Sequence, residues 1–403
     1  MYLNVDRAAS VMDSDGLDVL VATTPHNVLY AAGYWSLGQW TLRGTQVYAV
    51  ISRDSLDRPW LVMPHGELDL VVEQELVDQT QRVSYGTFFC RGREWGELSP
   101  KERHLAELLK EPKGEVSSAL EGLLEVIRSI GASDARVALD ERGLAYGTFE
   151  QVCAEIPRAD VRPGYRALQG IRMVKTEREI SLLRMAAQVT ERGVYACLAA
   201  ARPGVTEREM VEIFHGVLAR EGATPLLTVI AFGSRSAFPN ALPSDAKLEP
   251  GDIIRFDVGC VYKGYASDIA RMAVLGEPSA KVQSYYDAIR IGEDQALKAV
   301  RAGVKASEVF EVAVKAVADS GIPHYRRHHV GHGVGIEIYD PPLLAPTDHT
   351  VLEAGMVIDV ETPYYEIGFA GLQVEDTVVV REHGYERLTV SSREIIPVPP
   401  WGR

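Results

Sequence analysis

The chain has 403 residues, and its 42 Lys and Arg against 56 Asp and Glu leave a formal net charge of −14. That length exceeds one ordinary hydrophobic core and implies two domains, with room for three. The acid excess, with no Lys/Arg-rich run, argues against a phosphate-binding face, so nucleic acid is not an expected partner. No apolar stretch approaches the ~20 residues that span a bilayer, so a membrane is not expected either. The four cysteines, Cys90, Cys153, Cys197 and Cys260, are scattered without CxxC spacing, against both a disulfide framework and a structural zinc site. Residues 1–7 show neither the basic nor the apolar segment of a secretory leader. The expectation is a soluble, cytoplasmic, multi-domain α/β protein.

In chain order, Arg7 to Ser14 reads as a helix that Asp15-Gly16 breaks, and 17–22 is a short apolar run suited to a buried strand. Residues 46–51 and 59–63 repeat the strand signal. The Glu/Lys-rich stretch 94–113 reads as a solvated face, and Trp35 and Trp40 as packing residues. A helix-like segment at 114–130 precedes another strand at 136–139, the alternation of a small α/β domain. Pro157, Pro163, Gly164 and Gly170 make the chain irregular around 158–170, which divides it into domains 1–160 and 161–403. Beyond the division, Thr176-Glu-Arg-Glu179 has the form of a capping box opening a helix to Ala200, stopped by Pro203-Gly204. Thr206-Glu-Arg-Glu209 opens another, to about Glu221. Two more helices are predicted over 282–302 and 306–320. Strand-like runs lie near 226–232, 253–259, 265–274, 356–362 and 372–380, giving this half an α+β character.

The chemistry concentrates in those strands. Residues 251–271 read as two strands joined by a tight turn at Val261-Tyr-Lys-Gly264. A hairpin centred between Tyr262 and Lys263 puts Asp257 opposite Asp268. Like charges placed so are destabilising, and Asp is a poor strand residue, so the pair calls for a cation. Glu361 and Glu375 face one another in a second hairpin centred on Gly368. Between the pairs lies His328-His-Val-Gly-His-Gly-Val-Gly335, where glycines flank His332 and let the backbone approach closely. Two Asp, two Glu and one His form a mostly oxygen donor set suited to a pair of divalent ions. Two such ions can share a water and lower its pKa. Gly331-His-Gly-Val-Gly335 lacks the Lys-Ser/Thr of a phosphate loop, which argues against a nucleotide site.

The order Asp257, Asp268, His332, Glu361, Glu375, within Gly-Asp-x-x-x-x-Asp-x-Gly, Tyr-x-Ser-Asp-Ile, Gly-His-Gly-x-Gly and Val-Glu-Asp, resembles the "pita-bread" superfamily of prolidase, aminopeptidase P, methionine aminopeptidase and creatinase. Lys175-Thr-Glu-Arg-Glu-Ile180, Gly204-Val-Thr-Glu207 and Lys247-Leu-Glu-Pro-Gly-Asp252 extend the resemblance over most of 165–395. The fold it implies is α+β, with an N-terminal creatinase-like α/β domain and a C-terminal pita-bread domain. The resemblance implies that Asp257 chelates one metal, that His332 and Glu361 hold the other, and that Asp268 and Glu375 bridge. Glu361 would double as proton shuttle to a bridging hydroxide. The implied cofactors are two divalent ions, Mn²⁺ first, with Co²⁺, Zn²⁺ or Fe²⁺ as alternatives. The implied substrates are short proline-containing peptides, cleaved before proline by a homodimer of the Xaa-Pro dipeptidase or aminopeptidase P type.

Three positions depart from the family pattern. Tyr339 stands where peptidases of the family place a second His, Asn240 replaces another His, and Gln373 replaces an Arg two residues before Glu375. His328, four residues before His332, matches a His that many relatives keep. Tyr and Asn can still donate hydrogen bonds to a developing oxyanion, so Tyr339 and Asn240 are substrate-pocket candidates with Gln373, and His328 and Tyr339 join Glu361 as catalytic candidates. The departures leave open hydrolase or lyase chemistry on a small non-peptide such as a betaine or cyclic amidine. A catalytically silent binding module is a third reading, set against the intact ligand set.

Overall fold

The structure is a computed structural model and describes residues 2–42, 44–76, 81–92 and 97–399. The chain forms two compact units, Met1–Arg172 and Met173–Arg403. Residues 161–172, assigned from sequence to the second domain, therefore belong to the first. The helix Tyr165–Arg172 buries Tyr165, Leu168 and Ile171. Its entry is fixed by the Gly164 N–H on the Leu139 carbonyl and by the Gly164 and Tyr165 N–H groups on the Glu141 carboxylate.

Among the described residues of the first unit, six strands form one mixed sheet. Their spatial order is Gln81–Tyr85, Ser55–Pro64, Tyr48–Ser52, Val19–Ala22, Arg136–Leu139 and Asp160–Pro163. Val19, Val21, Tyr48, Val50, Val62, Val137 and Leu139 build its core with Leu123 and Ile127 of the helix Ala119–Ser129. The stretch read as a solvated face holds the helix Pro100–Leu108, which buries none of its residues, while 94–96 lie outside the described residues. Trp35 and Trp40 are partly exposed.

In the second unit the helices Glu177–Ala200, Glu207–Arg220, Ala280–Ala299 and Ala306–Asp319 pack on a large, mainly antiparallel sheet. Thr176 and Glu179 form the expected capping box: each side chain bonds the other residue's backbone N–H. One face of the sheet sends Ile254, Phe256, Val258 and Cys260 against Val189, Met210, Phe214 and Leu218 of the first two helices. Further along, Ile358, Val360, Val378 and Val380 meet Leu297, Val309 and Ala313 of the second two. Because strand side chains alternate, Asp257, Asp359, Glu361 and Glu375 leave on the opposite face.

The hairpin carrying the two aspartates turns at Lys263 and Gly264, which have φ values of 49° and 88°, as a two-residue hairpin turn matched to strand twist requires. The register is therefore Val261 with Ala266 and Asp257 with Ala270, not Asp257 with Asp268. The ladder sits two positions from the one expected, an even shift that keeps both aspartates on the same face. Glu361 pairs with Glu375 as the sequence predicts.

Removing the Thr176 hydroxyl leaves the Glu179 N–H at the helix start without its acceptor. Thr176→Ala is expected to lower unfolding stability by ~1 kcal/mol, read as a shift in denaturant midpoint with unchanged slope.

Candidate metal centre

A single transverse row of the sheet carries most of the site. Glu361 lies opposite Glu375, Glu375 opposite Ala270, and Ala270 opposite Asp257. Two residues along, a second row on the same face runs from His332 to Asp359 to Thr377. Thr377 donates its hydroxyl to the Asp268 carbonyl (3.3 Å) and to Asp359 Oδ1 (2.5 Å). This tie brings Asp268 to the row from outside regular strand. Gly331, at φ 136°, permits the close strand crossing beside His332: a Cβ there would lie 1.9 Å from the Asp359 carbonyl oxygen.

Ligand atoms of Asp268, His332 and Glu375 lie within 4.8 Å of one another, all three residues buried. The His332 Nδ1–H donates to the Gly333 carbonyl at 3.1 Å. Its Nε2 lone pair, 3.8 Å from Asp268 Oδ2, then points into the cluster, as a ligand nitrogen must. Asp268 Oδ1 is buried with no hydrogen-bond partner, a cost a protein bears only where something else meets the atom. Burial, followed by the charge of Asp257, holds the Asp268 carboxyl well above the usual range. Burial and then Asp268 do the same to Glu375. Burial raises Asp257 despite Arg255 beside it, lifts Glu361 to about 7 and Asp359 to about 8, and pulls His332 down to about 4. Buried carboxylates that raise one another, an unpaired oxygen and a neutral imidazole make up a donor set that fits divalent cations and poorly fits anything else.

Around this centre the sequence candidates fall in different places. Tyr339 stacks on His332, ring centroids 3.7 Å apart and planes 21° from parallel, and stays half exposed. Asn240 is exposed, just beyond the Phe238 and Pro239 carbonyls that accept from Arg255 Nη2. Gln373 is buried behind Glu361 with both ends of its amide engaged: Nε2 lies 3.4 Å from Glu361 Oε2, and Oε1 accepts from Arg255. Its position is that of a support, not of a group open to substrate.

His328 is exposed and packs edge-on against His329, which is the histidine that reaches Glu361, with Nδ1 3.2 Å from Oε1. Nδ1 already accepts the Gly331 N–H, and burial drives its pKa down to about 3. Its one in-plane lone pair is thus engaged, and Glu361 Oε1 lies beside it as a close polar contact. His328, the candidate four residues before His332, faces solvent beside His329. Arg255 also borders the site unforeseen, and so does Tyr365, which with Tyr364 the sequence offers as a pocket aromatic but better as a packing residue; Tyr365 donates its hydroxyl to Gln373 Oε1 at 3.2 Å. Arg327, 3.7 Å from Glu361, adds a second guanidinium.

The comparisons with known proteins agree with this geometry. Residues 181–382 match the model of metallopeptidase family M24, and residues 5–174 match the creatinase/prolidase N-terminal domain. The chain belongs to metallopeptidase family M24 and has the pita-bread fold. A Xaa-Pro dipeptidase from Pyrococcus horikoshii is 32% identical over 275 residues, 68% of this chain and 76% of that protein. One from Lactobacillus delbrueckii subsp. lactis is 33% identical over 266 residues, 65% and 72% of the two chains. Among solved structures, the Xaa-Pro dipeptidase from Bacillus anthracis superposes with a TM-score of 0.78 at 26% identity, covering 97% of this chain and 98% of that one.

The raised carboxyl groups bind protons more tightly folded than unfolded. Their contribution to stability is full below about pH 4 and is lost as pH rises through about 7 to 8, where Glu361 and Asp359 ionise. The metal-free protein is expected to melt at a lower temperature at pH 8 than at pH 5.5, and a divalent ion to raise the midpoint more at pH 8. Thermal unfolding with and without chelator measures both; equal metal stabilisation at the two pH values would contradict the assignment.

Proposed function

We propose that the chain is a metal-dependent Xaa-Pro dipeptidase that works with two divalent ions, Mn²⁺ in its native state. The observation that carries the reading is the convergence of four carboxylates and one imidazole on one buried face of the sheet. The activity named for the relatives supports the substrate class. Asp257 would hold one ion, His332 and Glu361 the other, and Asp268 and Glu375 both. When bound, the ions supply Lewis acidity that polarises the scissile carbonyl and makes a shared water nucleophilic near neutral pH.

The chain's own residues supply the rest. Glu361 would double as the proton shuttle at the cleaved bond. His329 Nδ1 lies 3.2 Å from Glu361 Oε1 and holds its ring against that carboxyl group. Burial and the surrounding carboxylates push the Tyr339 phenol above its ordinary value, so it keeps its proton and can donate to the oxygen of the cleaved amide from its seat on His332. Asn240 would meet the substrate at the rim. The resemblance also supports a homodimer and a cytoplasmic setting; among the described residues no helix is long and apolar enough to cross a membrane.

The test is a panel of Xaa-Pro dipeptides and Xaa-Pro-Xaa tripeptides assayed with Mn²⁺, with Co²⁺ and with chelator. Release of proline from dipeptides only, abolished by chelator, is expected. Tripeptide cleavage would move the assignment to aminopeptidase P, and no peptide cleavage by metal-loaded protein would favour the small non-peptide substrate. Asp268→Asn is expected to lower kcat by at least ~10³ and to lose bound metal by elemental analysis.

The two adjacent histidines separate by mutation. His329→Ala is expected to reduce kcat at least tenfold by removing the ring packed against Glu361, while His328→Ala changes it less than threefold. Equal effects would mean that His329 does not serve Glu361.

A further inference from the structure

Arg255 lies two residues before Asp257 on the strand Ile253–Tyr262, so its side chain emerges on the face that carries the carboxylates. It is fully buried. Nη1 donates to Asp257 Oδ2 at 3.0 Å and to Gln373 Oε1 at 2.9 Å. Nη2 donates to the Phe238 and Pro239 carbonyls at 2.7 and 2.9 Å. Gln373 passes the contact on, its Nε2 lying 3.4 Å from Glu361 Oε2. Tyr365 flanks the assembly, its ring centroid 5.3 Å from the guanidinium carbon. One buried cation thus ties together a carboxylate of the 253–262 strand, a carboxylate of the 357–361 strand and the segment leading to Asn240.

Burying a guanidinium is expensive unless its donors are used in a fixed geometry. Here both terminal nitrogens are used, Nε alone lacking an acceptor among the described residues, and two of the four acceptors, Asp257 and Gln373, lie on the face of the metal centre. We propose that Arg255 is a positioning residue of that centre. It sets the direction of Asp257 and, through Gln373, of Glu361, so that the two carboxylates face the ions together. The inference rests on the metal-site reading above and adds to it a residue outside the ligand set.

The geometry also says where else the same group could come from. Gln373 Oε1 already touches Arg255 Nη1, and an arginine at position 373 reaches two bonds beyond that ε atom. With a smaller side chain at 255, a guanidinium from 373 would enter the volume left free. Gln373 is also the position at which the family resemblance led us to expect an arginine.

The experiment compares the full-length protein with Arg255→Leu, Arg255→Lys and the double variant Arg255→Leu/Gln373→Arg. Each is loaded with Co²⁺ and read by its visible absorption, which reports ligand geometry without substrate, and by kcat and KM on a Xaa-Pro dipeptide. Circular dichroism checks folding. Arg255→Leu is expected to shift the Co²⁺ bands and lower kcat at least tenfold, and the double variant to return both to within threefold of wild type. Arg255→Lys, which keeps the charge and loses the fork, is expected to shift the bands and lower kcat at least fivefold, and it carries the test if the leucine variant does not fold. Wild-type spectra and kcat in folded Arg255→Lys, or a double variant no better than Arg255→Leu, would overturn the proposal. Failure of the wild-type protein to bind Co²⁺ would instead overturn the metal-site reading beneath it.

Discussion

Five carboxylates on one buried face of a β-sheet, Asp257, Asp268, Asp359, Glu361 and Glu375, repel one another, and everything around the site bears on that repulsion. Four are fixed by backbone ladders that cannot relax without losing strand pairing, Glu361 on Glu375, Glu375 on Ala270, Ala270 on Asp257 and Asp359 on Thr377, and Asp268 is tied in through the Thr377 hydroxyl. Burial, with the charge of Asp257 adding to it, lifts the Glu361 carboxyl to about 7, so the metal-free site bears both a desolvation cost and a repulsion. The sheet withstands this because its other face is well packed, with Phe256, Val258, Ile358 and Val360 buried against helices. Divalent cations convert the repulsion into attraction, so the strain of the metal-free fold and the affinity of the site have one origin.

The reverse face holds a charge network of its own. Arg271 donates to the Glu375 and Ala270 carbonyls at 2.6 and 2.9 Å and pairs with Asp376 at 2.6 Å. Asp376 also accepts from Thr389 and lies 2.8 Å from Arg393, which pairs with Glu293. Arg271 therefore clamps the backbone of the row from behind, at the two residues between Asp257 and Glu361. A buried pair of this kind is weak evidence for stability, but here it fixes the strand positions from which Glu375 projects.

Much of this was legible in the sequence, for identifiable reasons. The acidic residues that share the site face could be picked out because Asp and Glu are rare in buried strands, so their recurrence stood out, and the Glu361–Glu375 facing followed from a plain hairpin. The Asp257–Asp268 register was missed because the turn uses Lys263 and Gly264, with a non-glycine residue at positive φ that composition does not announce. An even error left the face correct and the chemistry with it. His329 and Arg255 were missed for another reason. Their importance lies in which distant strand they meet, and a single sequence carries no sign that Arg255 and Gln373, 118 positions apart, are in contact. The domain division came early because Pro163 and Gly164 look like a linker, whereas they turn the chain into one more helix of the first unit.

The same span of 118 residues between Asp257 and Glu375 bears on the order of assembly. The proposed ligands come from strands separated by the two helices Ala280–Ala299 and Ala306–Asp319. No short peptide of this chain could gather them all, since each hairpin carries only one acidic pair, Asp257 with Asp268 or Glu361 with Glu375. The sheet must close first and the cations enter a finished mould. They then act as a cross-link of high contact order, one that slows unfolding far more than it speeds folding.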